Sequence, residues 1–181
     1  MRRARVHVTG ASGSGTTTLA RRLADVWAVP HADTDDYFWL PTDPPFVQSR
    51  PPGERVALMR QVFLPRAAWV LSGSILDWGD EVIDRFDAVV FLTLDPAERI
   101  RRLEARELAR QERGQVDAEA HAAFMAWARG YDDPAFEGRS RVAHEKWLAA
   151  LPCPVLRLDS ALTTDQLCDE VLAWNPPDRG V

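Results

Sequence analysis

The sequence predicts an α/β fold, a single parallel sheet of about five strands with helices packed on both faces in a three-layer sandwich. Three observations carry that prediction. Short apolar runs alternate with segments of helical spacing along the chain. The strongest run, Ala88 to Leu94, is continuous Val-Val-Phe-Leu of the kind buried on both faces of a parallel sheet. The first strand stops at a glycine-rich turn that opens directly into a helix. A length of 181 residues with 46% hydrophobic content suits one buried core rather than two domains.

Ala4 to Thr9 forms the first strand, and Leu19, Leu23 and Trp27, four residues apart, mark an apolar helical stripe that ends before Pro30. A short strand at His31 to Asp33 leads into a Pro-rich excursion, Pro41 to Pro52, expected to be ordered. Helical spacing over Glu54 to Leu64 precedes a third strand, Trp69 to Ser72, and the glycine turn Ser72-Gly73-Ser74. After Ala88 to Leu94, Asp95-Pro96 starts a charged helix running to about Arg113. Asp117 to Arg129 and Ser140 to Leu151 read as helices and Val155 to Leu158 as a fifth strand. A closing helix, Thr164 to Trp174, is capped by Thr163 or Thr164, and Asn175 to Val181 is expected to fray.

Composition narrows the function classes. No run approaches the roughly 18 apolar residues of a membrane span, and Met1-Arg2-Arg3 leads straight into a strand, so the expectation is a cytoplasmic protein. Cys153 and Cys168 lack metal-ligand spacing and read as reduced, ordinary residues. A net charge of -5 argues against a general nucleic-acid surface. A monomer and a homodimer are both compatible with the chain. Its only lysine is Lys146.

Gly10-Ala11-Ser12-Gly13-Ser14-Gly15-Thr16-Thr17 fits the phosphate-loop pattern G-x-x-x-x-G-[K]-[ST] at every fixed position except the lysine, where Thr16 stands. Glycines at 10, 13 and 15 let backbone N–H groups converge on phosphate oxygens, and the helix that starts near Thr16 and Thr18 adds the positive end of its dipole. Thr17 would offer its hydroxyl to Mg²⁺. Thr9-Gly10-Ala11-Ser12-Gly13 is also similar to the opening of short-chain dehydrogenases, with Asp33 or Asp35 about twenty residues on. Position 16 is not glycine, however, and Lys146 is preceded at the Tyr-x-x-x-Lys spacing by Val142, which disfavours an NAD(P)-dependent oxidoreductase. The string Gly-Ser-Gly-Thr-Thr-Thr resembles the loop of archaeal-type cytidylate kinases, which carry threonine at this place.

Asp33-Thr34-Asp35-Asp36 follows the second strand and precedes Tyr37-Phe38-Trp39, at the sheet edge where ligands bind in this architecture. Alternation at a strand end would point Asp33 and Asp35 the same way, one toward a Mg²⁺-bound water and the other toward an acceptor hydroxyl. A capped, solvated acidic turn is the plainer reading. The order of strand, Gly-x-x-x-x-Gly-x-Thr loop, helix and Asp-x-Asp resembles shikimate and gluconate kinases to about Trp174. It also resembles the adenylate-kinase-related proteins described as DNA topology modulators, which share an Asp-x-Asp-x-x-x-Trp stretch. The resemblance implies a P-loop kinase-like domain over residues 1–174, with a lid at about 106–141 and a tail at 175–181. It implies that Asp33 is the metal-side aspartate, that Asp35 is the substrate-side aspartate, and that Ser72-Gly73-Ser74 lines the acceptor site.

Arg99, Arg102, Arg106, Arg110 and Arg113 recur at helical spacing, which predicts a cationic face that could close over triphosphate or simply bridge the interspersed glutamates. Arg139-Ser140-Arg141 is the more compact candidate. With no lysine in the loop, Arg106, Arg110, Arg139 or Arg141 is expected to contact the β- and γ-phosphates. Trp27, Trp69, Trp127, Trp147 and Trp174 fit core positions, whereas Trp39 and Trp78 lie on loops at the ligand edge and could stack on an aromatic acceptor. His144 reads as a partner of a neighbouring helix.

These readings converge on a Mg²⁺-dependent kinase that transfers the γ-phosphoryl group of ATP to a small acceptor held by Asp35, Asp36, Trp39, Arg50, Ser74 and Trp78. Val155 to Leu162 would border adenine. The alternative is a nucleotide-binding regulatory protein that lost transfer along with the lysine.

Overall fold

The computed structural model describes residues 1–43, 45–112 and 118–177. Its sheet has five strands, β1 (Arg5–Gly10), β2 (His31–Asp33), β3 (Trp69–Ser72), β4 (Ala88–Thr93) and β5 (Val155–Asp159). They lie in the order β2-β3-β1-β4-β5 with every pair parallel. The helices are α1 (Thr16–Trp27), α2 (Thr34–Phe38), α3 (Pro52–Val62), α4 (Pro96–Glu112), α5 (Ala118–Arg129), α6 (Arg141–Ala149) and α7 (Thr164–Ala173). The fold class is the expected one.

Residue alternation along β1 sets the two faces. Val6 and Val8 point to the side covered by α1 and α7, where they meet Leu19, Leu23, Val90, Leu167 and Val171. The opposite face packs Met59, Phe63, Trp69, Leu71, Phe86, Phe91 and Leu148 under α3 and α6. Burying each of these larger side chains contributes about 1.5–3 kcal/mol. His7 faces this second side and is fully buried, stacked on Phe86 at 5.0 Å and edge-on to Trp147, with Nδ1–H donating to the Leu71 carbonyl at 3.2 Å. Cys153 and Cys168 are both buried thiols.

Local signals explain most element ends. Asp95 accepts from the N–H groups of Ala97 and Glu98 and so caps α4. Ser140 caps α6 rather than starting it, because its hydroxyl accepts from Ala143 N–H. Thr163, not Thr164, caps α7, in a reciprocal capping box with Gln166. α3 begins two residues early, at Pro52, since proline suits a first turn whose N–H would have no partner. The ends of the Pro-rich excursion are pinched together: Leu40 N–H donates to Gln48 O, and Arg50 N–H to Phe38 O. A 3-10 turn at Asp80–Arg85, absent from the sequence reading, carries Val82 into the core. Arg113, Asp117 and the end of the tail lie outside the described residues.

Candidate functional site

After β1, Ser14 N–H donates to Ala11 O at 3.1 Å, and Gly13 and Gly15 turn the chain with φ of +89° and +87°. That left-handed backbone is cheap only for glycine. At Gly13 a Cβ would also lie 2.8 Å from Leu103 Cγ and 2.9 Å from the Arg99 carbonyl. Gly15 is the N-cap of α1, with no side chain capping the helix and no acidic residue in its first turn. The first amides, including those of Thr16, Thr17 and Thr18, therefore have no intrahelical acceptor and face outward with the positive end of a 12-residue helix. Such an end suits an anion.

Beside that helix end, Thr17 Oγ1 donates to Asp33 Oδ2 at 2.8 Å. The same oxygen accepts from Ser72 Oγ at 3.0 Å, and His31 Nε2 lies 2.9 Å from that hydroxyl. Ser72 spends its only hydrogen on the carboxylate, so His31 Nε2–H must be the donor in the last link. Asp33 Oδ1 caps α2 by accepting from Asp35 N–H at 3.1 Å. Strand alternation is thus not what brings the two aspartates together. Asp33 ends β2, and Asp35 lies in the first turn of the short helix that Asp33 caps. Thr17 keeps its lone pairs free after donating, so a hydroxyl and a carboxylate stand together as hard oxygen donors of the kind magnesium takes. No group of three or more His, Cys, Asp and Glu side chains that could hold a metal occurs among the described residues. Two protein oxygens with phosphate and water completing the shell is the usual magnesium pattern.

Asp35 is exposed in the first turn of α2. Loss of hydration and then the neighbouring Asp33 raise its pKa, while Arg139 and Arg106 pull the other way. Asp36 faces elsewhere, toward His31 and Arg21, which oppose the rise that burial and Asp33 cause. Thr34 Oγ1 accepts from Ser74 N–H at 3.1 Å, and Trp78 Nε1–H donates to Ser74 O at 3.2 Å, so Ser74 and Trp78 are fixed as one turn beside α2. Gly73 makes that turn possible, with φ of +105° and a hypothetical Cβ only 1.9 Å from Thr34 Oγ1. Gly73→Ala is expected to destabilise the fold by about 2–4 kcal/mol through overpacking and backbone strain, read as a lowered urea midpoint.

Trp39 packs on Phe38 at 4.8 Å and on Phe46 at 6.1 Å, and Phe38 meets Trp78 at 6.2 Å. Arg50 ties this aromatic group to α2, with Nε–H donating to Tyr37 O at 3.0 Å. Sequence reasoning missed the residue at its centre, Arg55. The Arg55 guanidinium lies 3.7 Å over the Phe38 ring and 5.3 Å from Trp78, is 6% exposed, and donates through Nε to Arg50 O at 2.6 Å. It makes no salt bridge among the described residues, and burial lowers its pKa. The available signal was an arginine beside the buried Val56 and Met59 with no acidic residue three or four positions away.

The arginines divide sharply by partner. Arg99, at 1% exposure, does not join a free face. It reaches behind the glycine loop, donating to Ser12 O at 3.1 Å, Ala128 O at 3.0 Å and Asp132 at 2.8 Å. Arg102 holds Glu98 and Ser160 O. Arg106 and Arg110 both bind the buried Glu107, and Arg110 also lies 5.0 Å from the Phe46 ring. Arg141 holds Asp132 at 2.7 Å. The expected cationic stripe is therefore largely a set of paired charges. Arg139 differs: its Nη2 donates to Ser12 Oγ at 2.5 Å, and its guanidinium lies 4.8 Å from the Trp127 ring. Trp127, read from sequence as core, is 37% exposed. His144 does pair with a neighbour, sharing a 2.9 Å hydrogen bond with Tyr131 Oη.

A glycine loop between β1 and α1, the carboxylate of Asp33 bonded to the loop threonine, and this five-stranded parallel sheet together define a P-loop α/β fold. Residues 6–122 match the model of an AAA domain family, and the chain belongs to that family. It is similar to the uncharacterized protein YqaC of Bacillus subtilis (strain 168), with 37% identity over 173 residues, 93% of this chain and 96% of that one. In fold it is similar to a gluconokinase from Sinorhizobium meliloti 1021, with a TM-score of 0.55 and 16% identity, over 96% of this chain and 92% of that chain. A shikimate kinase from Bacteroides thetaiotaomicron aligns with a TM-score of 0.54 and 19% identity, over 94% of this chain and 99% of that chain. Among the described residues no helix is long and apolar enough to cross a membrane.

Proposed function

We propose that the protein is a magnesium-dependent phosphotransferase that moves the γ-phosphoryl group of ATP to a small hydroxyl-bearing acceptor. The observation that carries this reading is the 2.8 Å bond between Thr17 and Asp33 beside the uncapped start of α1, with Asp35 one turn away. Amides of Gly13 to Thr18 grip the phosphates. Thr17 and Asp33 hold the magnesium, which supplies charge neutralisation on the phosphate oxygens. Ser72, backed by His31, keeps the Asp33 carboxylate aimed at the loop. Asp35 accepts the proton of the acceptor hydroxyl, and cations of the α4–α6 segment, the lid of this reading, steady the group in transit.

The acceptor lies against Ser74, Trp39 and Trp78. A buried guanidinium without a counter-ion is costly, so Arg55 suits an acceptor that brings an anionic group of its own. Arg55→Gln is expected to raise KM for the acceptor about 30-fold, the equivalent of about 2 kcal/mol, with KM for ATP unchanged in steady-state kinetics.

The deciding experiment is ATP consumption with magnesium across a panel of nucleosides, nucleotides, sugar acids and small alcohols. Turnover on at least one acceptor supports the reading. Thr16 in the lysine position favours a second one, a regulatory nucleotide-binding protein. Saturable ATP binding without turnover on any acceptor would select that second reading.

A further inference from the structure

We infer that Arg139, seated on the indole of Trp127, supplies the phosphate-binding cation that Thr16 leaves absent from the loop. This inference rests on the nucleotide-binding half of the function proposed above. A P-loop needs a positive charge between the outer phosphates, and neither the loop nor the first turn of α1 provides one.

Most of the other arginines around the loop already hold a carboxylate. Arg22 pairs with Asp165 at 2.9 Å, Arg99 and Arg141 share Asp132, Arg102 holds Glu98, and Arg106 and Arg110 share Glu107. Moving any of these to a phosphate would give up an existing carboxylate contact, for Arg106 and Arg110 one to the fully buried Glu107. Arg139 has no salt bridge among the described residues, and its bond to Ser12 Oγ places the guanidinium against the phosphate loop itself. Its Nε is buried without a hydrogen-bond partner. A cation held there with donors to spare is a site built for an anion that arrives later.

Trp127 explains how the arginine stays at the loop. An indole more than a third exposed in the last turn of α5 lies under the guanidinium at 4.8 Å, a cation–π seat that fixes the arginine without neutralising it. Trp127 is therefore a positioning residue. Burial lowers the Arg139 pKa, and the charge that most opposes this is that of Asp35, the carboxylate proposed to serve the acceptor. A triphosphate offers more charge and bidentate geometry, so the guanidinium trades Asp35 for phosphate when ATP enters.

Isothermal titration calorimetry with ATP and magnesium tests this without reference to turnover. Arg139→Ala, and Arg139→Gln as a gentler variant, are expected to weaken ATP about 30- to 100-fold and AMP hardly at all, the loss of one charge-assisted contact to the outer phosphates. Adding Thr16→Lys to Arg139→Ala is expected to recover most of that loss. Trp127→Ala is expected to weaken ATP by about 5-fold, in keeping with a cation–π contact of about 1 kcal/mol. Trp127→Phe should rescue the binding, and Trp127→Ala should have no further effect once Arg139 is gone. Wild-type affinity for ATP in both Arg139 variants would overturn the inference and leave the phosphotransfer reading standing, as would failure of Thr16→Lys to restore binding. Absence of ATP binding by the wild-type protein would overturn both.

Discussion

Asp35→Asn is expected to lower kcat for phosphoryl transfer by about 10²–10⁴-fold while changing KM for ATP less than about threefold. Asparagine keeps the size of the side chain, and the backbone N–H of residue 35 still reaches Asp33 Oδ1, so the capped turn survives. What disappears is the proton acceptor. Partial desolvation by its neighbours and then the adjacent Asp33 charge raise the pKa of the still exposed Asp35, which makes it a stronger base than a free aspartate once a hydroxyl is placed against it. A small effect on kcat measured with the acceptor found in the ATP-consumption panel would show that the acceptor group needs no deprotonation, as a phosphate would not, and would count against the hydroxyl acceptor.

Acidification from pH 6.5 to 4 is expected to destabilise the fold by several kcal/mol. Burial pushes the pKa of His7 down to about 4 and that of His144 down to about 3 in the folded chain, against about 6.5 when unfolded. Between those values the unfolded chain takes up protons that the folded chain refuses. Stability therefore rises with pH through this window and is lost as pH falls. Each unit of difference is worth about 1.4 kcal/mol. His7 has its Nε2 buried without a partner between Phe86 and Trp147, and His144 likewise between Phe91 and Tyr131, so neither ring can relieve a charge locally. Melting temperatures recorded from pH 4 to 8 should fall steeply below pH 6.5, and His144→Gln should flatten the decline. A flat profile in the unmodified protein would refute the assignment.

Much of this architecture could be read from residue order, because periodicity and glycine placement act locally. Ala88 to Leu94 announced a central strand, and the chain from Val6 to Thr17 announced strand, loop and helix. The pairing of Asp33 with Asp35 is predicted from strand alternation, whereas the actual cause is that Asp33 itself caps the helix whose first turn holds Asp35. Side-chain partners at long range were not legible. Arg99 has the same spacing as its neighbours in α4, yet it alone is swallowed beneath the loop, since only the tertiary fold brings Ser12 and Asp132 to it. Arg55 was invisible for the converse reason, because the significance of a lone arginine depends on rings from Phe38 and Trp78 that approach only once the sheet is assembled.

That same Arg99 guanidinium fastens the underside of the glycine turn to Asp132, seven residues before Arg139. Two regions bolted to one rigid fork share their free energy of ordering. Whatever affinity an anion gains from a settled Asp132, Asp132 must gain in order from the anion, by thermodynamic reciprocity. Occupancy of the turn and firmness at the root of the segment bearing Arg139 are thus a single equilibrium seen from its two ends.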